Sequence, residues 1–216
     1  MERWAEVRER SDFMIELREN PVIALGSKRC VYQHPFDEDS IIKVWRGDRE
    51  NSNGKCLRYR QRQDLYREWR EMVRVTTGKD PAFPYLVRFK GYELTDLGIG
   101  MVFQKVSSPD GDGLGWTLDY MKRNQIIDCE LEFRLLELLR AVLRSSIVVA
   151  DIGPFNILYG KTKSYGLGFR IVDGIGDKTL VPIMRFSSFI RKRRKIVAVS
   201  RLLHTLGISE DNIFKD

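Results

Sequence analysis

The sequence has few of the residues from which many enzyme sites are built. It contains two histidines, His34 and His204, and three widely spaced cysteines with no C-x-x-C pair. A histidine-based metal centre or a Ser-His-Asp triad therefore has little material, and each histidine is interpreted as a core or surface residue. An odd number of scattered cysteines is typical of reduced thiols in a cytosol and argues against a disulfide framework.

Long apolar segments are also missing. No run of about 18 apolar residues occurs, so no membrane span is expected. The first 13 residues are charged and lack the apolar core of a secretory signal, which predicts a cytoplasmic protein. The chain has 216 residues, enough for one ordinary domain or two small lobes, and a hydrophobic content of 43% predicts a genuine core.

Positive charge is in excess. The net charge of +7 attracts polyanions such as nucleic acid, phosphate ligands or acidic membrane surfaces, without choosing among them. Five cations follow one another at Arg191–Lys195. Such a run is typical either of a solvated helix face or of contact with a polyanion or protein partner, and both remain open. No aromatic-basic RNA motif or DNA-reading helix is recognisable, so nucleic-acid binding is the weakest interpretation of the charge.

The most informative stretch lies in the last third of the chain. Two apolar runs, 157–159 and 169–172, are separated by glycines, which predicts a hairpin. Antiparallel pairing would bring Asn156, before the first strand, close to Asp173, after the second. An amide oxygen and a carboxylate that meet at a strand edge suit Mg²⁺. Asp151 would lie nearby as a carboxylate that the metal does not need.

The spacing of these residues resembles a phosphotransferase catalytic loop. D-x-x-P-x-N from Asp151 to Asn156, followed by a strand that ends in Asp173-Gly174, is similar to the protein-kinase-like superfamily. In that layout one Asp accepts the substrate proton, and an Asn and a second Asp bind metal. Asp151 is then the catalytic base. The alternative is that Asp151 is a turn residue and Asp173 a strand-end cap, because Asp and Asn are common in turns.

The N-terminal part predicts a meander of strands. An apolar run at 21–25 ends at Gly26, and a β-branched strand follows at 40–45 with Lys43 in its middle. Lys43 either faces solvent, which is the default for lysine, or grips nucleotide phosphates as the equivalent lysine does in a kinase-like fold. Gly26 lies in the first turn, where Lys28 and Arg29 would then add positive charge over a phosphate. The turn has only Gly26 where kinases carry three glycines, so it would lack their close backbone approach.

A helix is predicted from Gln61 to Val75. Its apolar face consists of Leu65, Trp69, Met72 and Val73. Glu68 falls within that face and needs a partner, for which Lys43 is the natural candidate. Glu71 competes for this role but lies further round the helix. The alternative is a surface helix laced with Arg and Glu.

The middle of the chain predicts a change of architecture. Two more strands are expected at 85–94 and 99–106, which gives about five strands and one helix up to that point. The Gly/Asp-rich segment 107–115 is predicted to be a hinge, where an adenine would lie against backbone groups. Residues 116–146 are predicted to be helical, with a buried helix at 130–145.

The order and spacing of these motifs, from about residue 20 to about residue 205, resemble the YrbL family of PhoP-regulatory-network proteins, a protein-kinase-like group. The matching segments are Gly26–Pro35, Ile42-Lys43-Val44, Arg67-Glu68, Pro154–Leu158, Asp173–Gly176 and Thr179–Pro182. The resemblance implies an α+β, bilobal protein-kinase-like fold. Its parts would be an antiparallel-sheet N-lobe (1–106), a hinge (107–115) and a compact, mainly helical C-lobe (116–216). It also implies ATP and Mg²⁺ in the cleft between the lobes.

The chain departs from active protein kinases at several positions. Val149-Ala150 stand where His-Arg precedes the catalytic Asp, Gly153 replaces the catalytic-loop lysine, and Gly174 replaces a Phe. No A-P-E anchor follows. These departures fit a kinase of small molecules or a kinase fold that has lost catalysis. The sequence thus predicts a MgATP-dependent phosphotransferase with a small-molecule hydroxyl acceptor. The alternative is an inactive pseudokinase that acts as a regulatory binding module.

Overall fold

The computed structural model describes residues 14–26, 28–46, 66, 69–76, 79–149, 151–176 and 187–214. The chain is a mixed α+β protein with antiparallel sheets and several helices. It divides into two compact units, one formed by Met1–Gly54 with Arg88–Lys105 and the other by Lys55–Val87 with Val106–Asp216. Residues 55–87 therefore group with the second unit, and the division into an N-lobe (1–106), a hinge (107–115) and a C-lobe (116–216) stays a prediction.

The first unit contains a five-stranded antiparallel sheet with strand order β1-β2-β3-β5-β4. Its strands are β1 (Val22–Leu25), β2 (Arg29–Gln33), β3 (Ser40–Trp45), β4 (Phe89–Thr95) and β5 (Gly98–Gln104). The predicted meander and the later hairpin are confirmed. The strand predicted at 85–94 begins later than expected, because Phe83–Tyr85 forms a 3₁₀ turn with a proline in its first positions.

One hydrophobic cluster of the first unit lies on one face of this sheet. Its buried residues are Ile15, Leu17, Tyr32, Ile42, Val44 and Val102. The Asp96 carboxylate accepts the backbone N–H of Leu17 at 2.7 Å and that of Arg18 at 3.1 Å. These hydrogen bonds to the charged form lower the pKa of Asp96. Asp96, in the turn between β4 and β5, therefore holds the segment before β1 against the sheet.

The second unit is mainly helical around a three-stranded sheet, β6-β7-β8. A helix, α1, includes the described residues 66 and 69–76. The other elements are β6 (Trp116–Thr117), α2 (Leu118–Arg123), α3 (Cys129–Arg144), β7 (Ile157–Thr162), β8 (Gly166–Ile171), α4 (Ser188–Leu206) and α5 (Asp211–Phe214). Among the described residues, no helix is both long enough and apolar enough to cross a membrane.

Helix α3 is the buried spine that its periodicity predicts. Asp128 caps its N-terminus by accepting the Leu131 N–H. Its buried residues are Leu135, Leu136, Leu138, Leu139 and Val142. The predicted hinge, 107–115, is tied to β7 because Ser107 and Lys161 exchange backbone hydrogen bonds of 2.9 and 2.8 Å.

The buried face of α1 differs from the predicted one. Met72 and Val75 are buried as helical spacing requires, but Trp69 and Val73 are 40% and 41% exposed. Among the described residues of α1, the other buried one is Glu71, which is 3% exposed. Leu65, the first residue of the predicted face, lies outside the described residues. The buried side of the described part of α1 therefore includes a carboxylate, and the aromatic ring that the periodicity predicts to be buried is partly exposed.

Lys195 is turned into the protein, so the prediction of a five-cation surface at Arg191–Lys195 is wrong at this residue. Lys195 is 1% exposed. Its ammonium donates to the carbonyls of Val142 at 2.9 Å and Ser145 at 2.5 Å, and to the Ser145 hydroxyl at 3.1 Å. Those carbonyls end α3, where a helix leaves acceptors without partners and favours positive charge. Lys195 thus docks α4 onto the C-terminus of α3.

Burial, followed by the charge of Arg191, lowers the pKa of Lys195 from 10.5 to about 8. Above this pH the folded protein holds the amine neutral, whereas the unfolded chain keeps the proton up to its ordinary pKa. The contribution of Lys195 to stability therefore increases with pH across this window.

Relative to Lys195→Met, we expect wild type to gain about 1–2 kcal/mol of unfolding free energy between about pH 7.5 and about pH 9.5, measured in urea. Lys192→Met, which removes an exposed cation from the same helix, should follow wild type. Parallel curves for wild type and Lys195→Met would contradict the prediction.

Candidate active site

The β7–β8 hairpin brings Asn156 and Asp173 to the same end of the sheet. Ile157 is opposite Ile171 in the register, and the Val172 N–H donates to the Asn156 carbonyl at 2.9 Å. The hairpin predicted from the glycine-separated runs is therefore confirmed. Asn156 lies just before β7, and Asp173 lies two residues after β8. Their neighbourhood follows from antiparallel pairing alone.

Asp151 joins this end of the hairpin through its backbone. Its N–H donates to the Gly174 carbonyl at 3.1 Å, and its carbonyl accepts the Asn156 side-chain amide at 3.3 Å. A turn closed by the Asn156 N–H on the Gly153 carbonyl, at 3.0 Å, returns the chain toward β7. The structure thus assembles in one place the three residues that the sequence predicts as a site.

Gly174 is required by the close approach of two backbone segments. Its φ is +87°, in the left-handed region, and a Cβ there would lie 1.8 Å from the Asp151 carbonyl oxygen. No side chain fits at that distance. The absence of a Phe at this position therefore has a local steric cause, because the residue after Asp173 lies directly against the loop that carries Asp151.

The side chains at this end of the hairpin form an oxygen-rich, accessible group. Asp151 and Asp173 are exposed and Asn156 is half-buried, while Ile152 and Ile157 are buried beneath them. The Asn156 amide nitrogen is engaged with Asp151, so its amide oxygen is the atom available for a cation. The Asp173 carboxylate also accepts the Gly174 N–H at 2.6 Å.

This donor set fits Mg²⁺ in its chemistry. Magnesium binds through one or two carboxylate or amide oxygens and completes its shell with water and substrate phosphates. No group of three or more His, Cys, Asp or Glu residues able to hold a metal occurs in the described part of the chain. An all-protein metal cage is therefore absent there, whereas a metal shared with a phosphate ligand needs only Asn156 and Asp173.

The segment that leads from α3 into the loop is held by charged side chains. Glu71 accepts the Val148 N–H at 3.3 Å and the Arg74 guanidinium at 2.7 Å. Arg74 also donates to the Ser146 carbonyl. Asp80 accepts both the N–H and the hydroxyl of Ser146, each at 2.8 Å. From the sequence, Glu71 is only a competitor of Glu68 for Lys43. Its role in holding the segment before Asp151 is not predicted. A carboxylate at position 71, one helical turn from the Arg at 74, is the signal that could have indicated it.

In the first unit, Lys43 is a buried residue of β3. It is 7% exposed, and its ammonium lies 4.6 Å from the centre of the Phe103 ring. The alternative that Lys43 faces solvent is therefore wrong. Glu68, its predicted partner, lies outside the described residues, so the Lys43–Glu68 pair stays a prediction.

The turn between β1 and β2 carries the other predicted phosphate contacts. The Gly26 N–H donates to the Arg29 carbonyl at 2.8 Å, which closes the turn. Lys28 is exposed, and its ammonium lies 5.7 Å from the centre of the Trp45 ring. A phosphate-binding role for Gly26 and Lys28 stays a prediction.

The site is carried by a mixed α+β protein with antiparallel sheets. The family model described as PhoP regulatory network protein YrbL matches residues 15–206, and the chain belongs to this family. The chain is similar to the proteins named "Uncharacterized protein YrbL" from Escherichia coli (strain K12) and from Shigella flexneri. Each is 25% identical over 189 residues, which cover 85% of this chain and 84% of the relative. The family resemblance is thereby confirmed, and the kinase-like interpretation stays a prediction.

Substitution of Gly174 tests how closely the loop and the strand end approach. Gly174→Ala places a Cβ against the Asp151 carbonyl, so we expect it to lower the unfolding free energy by about 3 kcal/mol or more. Gly166→Ala is the matched control, because Gly166 also has a positive φ (+63°) but has nothing within 4 Å of its Cβ position. It should cost only about 1–2 kcal/mol of backbone strain. Equal losses of unfolding free energy in the two variants, measured in urea, would contradict the close approach of Gly174 to Asp151.

Proposed function

We propose that this protein binds MgATP and transfers a phosphoryl group to a hydroxyl of a small molecule. The observation that carries the proposal is the convergence of Asp151, Asn156 and Asp173 at one end of the hairpin. Phosphoryl transfer needs few protein groups, since catalysis consists mainly of positioning and charge neutralisation. A proton acceptor beside two oxygen ligands is the minimum set for that chemistry.

Each of the three residues has a separate role in the proposal. Asn156 and Asp173 hold Mg²⁺, which when bound neutralises charge on the nucleotide phosphates. Asp151 accepts the proton of the acceptor hydroxyl, and its exposure allows an acceptor to reach it. The hydrogen bond from the Asn156 side chain to the Asp151 carbonyl ties the position of the metal ligand to that of the base.

Lys43 contributes positive charge toward the phosphates in the same proposal. A lysine buried in a central strand is costly unless its ammonium is paired. The resemblance to kinases assigns Glu68 as the partner of Lys43, and Gly26 and Lys28 as contacts of the phosphates. The five-stranded antiparallel sheet and the separate, mainly helical unit with its hairpin support a bilobal kinase-like fold.

Thermal unfolding with and without MgATP tests the proposal. Ligand at about 100 times its dissociation constant should stabilise wild type by roughly 2.7 kcal/mol, which is a clear rise in Tm. Asp173→Ala should abolish that rise because it removes a metal ligand. Asp211→Ala, which removes an exposed carboxylate at the start of α5, should keep it. An undiminished shift in Asp173→Ala would remove Asp173 from the site.

A second candidate function is that of a pseudokinase, a regulatory module that binds partners without catalysis. Two observations favour it. Val149 and Gly153 stand beside Asp151 where active kinases carry polar or basic residues. In addition, the family description names a regulatory network.

Asp151→Asn separates the two candidates. In a phosphotransferase it should leave the MgATP-induced rise in Tm intact and lower ADP release with hydroxyl acceptors by about 10²–10⁴-fold, because the base is lost. In a pseudokinase, wild type binds MgATP but releases no ADP with any acceptor, and Asp151→Asn behaves identically.

A further inference from the structure

Helix α4 presents an unusually basic surface. Its 19 residues include six Lys or Arg and no Asp or Glu. Lys195 is buried and Arg191 is half-buried, and the remaining four are exposed: Lys192, Arg193, Arg194 and Arg201. We call the exposed side of this helix, comprising Lys192, Arg193, Arg194, Arg201 and the apolar residues described below, the basic face of α4.

The charge on this face is not balanced within the described part of the chain. None of the four exposed cations forms an ion pair there, whereas Arg123 and Arg134 each pair with an acidic residue one turn away, at 2.6 and 2.7 Å. Three of the four, Lys192, Arg193 and Arg194, lie in the N-terminal half of α4, nearer the helix end at which the dipole disfavours positive charge, and Arg201 lies in the C-terminal half. Because none of the four has an ion-pair partner among the described residues, an external anion is the partner they fit.

Two large apolar side chains are exposed on the same face. Phe189 is 73% exposed and Val197 is 50% exposed. Phe189, Arg193, Val197 and Arg201 follow one another at intervals of four, so they form one stripe along the helix. The surface therefore alternates apolar and cationic groups within a single row.

We propose that the basic face of α4 binds the surface of a bilayer that contains anionic phospholipid. Phosphate headgroups attract the four cations, and the interface below them accepts the apolar side chains of Phe189 and Val197. A nucleic acid would satisfy only the charges, because its backbone offers nothing to these apolar groups. The helix also has no Asn or Gln, the residues that most often read base edges with Arg and Lys. The opposite side of α4 stays packed on α3, so no unfolding is needed.

Cosedimentation with vesicles tests the proposal on the full chain. Phosphatidylcholine vesicles with about 30% phosphatidylglycerol should bind the protein at low salt, and vesicles of phosphatidylcholine alone should not. Arg193→Gln with Arg194→Gln should weaken binding roughly 30-fold, since each cation near an anionic surface contributes about a fivefold factor. Arg18→Gln with Arg134→Gln removes the same charge from exposed sites elsewhere and should change binding less than about twofold.

Phe189→Ser distinguishes a lipid surface from other polyanions, because it leaves the net charge unchanged. It should weaken vesicle binding roughly tenfold and leave binding to duplex DNA unaltered. All substituted side chains are at least partly exposed, so the variants should unfold at the wild-type Tm. The proposal is overturned if the anionic vesicles do not bind, or if Phe189→Ser binds them as well as wild type. Tighter binding to duplex DNA than to these vesicles would likewise overturn it and favour a nucleic-acid partner.

Discussion

The position of the candidate site depends on the hydrogen bonds that hold one short backbone segment, residues 145–148. This segment leaves α3 and leads into the loop of Asp151, and backbone partners supply only some of its hydrogen bonds. The Ser145 N–H donates to the Ala141 carbonyl, and the Val148 carbonyl accepts the Gly176 N–H at 2.9 Å. Buried polar backbone without partners costs free energy, and side chains supply further hydrogen bonds. Lys195 binds Ser145, Asp80 and Arg74 bind Ser146, and Glu71 binds Val148. Three distant parts of the chain thereby fix where the loop begins.

The use of charged groups for this purpose has a physical consequence. Apolar contacts are nondirectional, whereas a carboxylate or ammonium with several hydrogen bonds defines both position and orientation. Such groups add little net stability once their desolvation is counted, as the lowered pKa of Lys195 indicates. Their contribution is to fix the position and orientation of the loop. A site that works by positioning benefits from that, because small displacements of reacting groups lower rates strongly.

The sequence predicts the features of this protein that are formed by residues close together in the chain. The hairpin and its convergence of Asn156 with Asp173 follow from alternating runs, glycines and antiparallel pairing, and the five strands follow from similar signals. What it misses is the burial of charge. Periodicity assigns Trp69 to the buried face of α1, although Glu71 is buried instead. A pattern along one helix cannot show that its carboxylate meets a backbone N–H 77 residues away at Val148.

The five cations of Arg191–Lys195 do not share one structural role. Composition alone treats them as equivalent. At about 100° per residue, Arg193 lies about 200° from Lys195 around the helix, so a buried Lys195 forces Arg193 outward. The ammonium of Lys195 is fixed by three acceptors at the end of α3, which sets the rotation of α4 about its own axis. The same buried charge that anchors the start of the loop therefore decides which cations and which apolar side chains face outward.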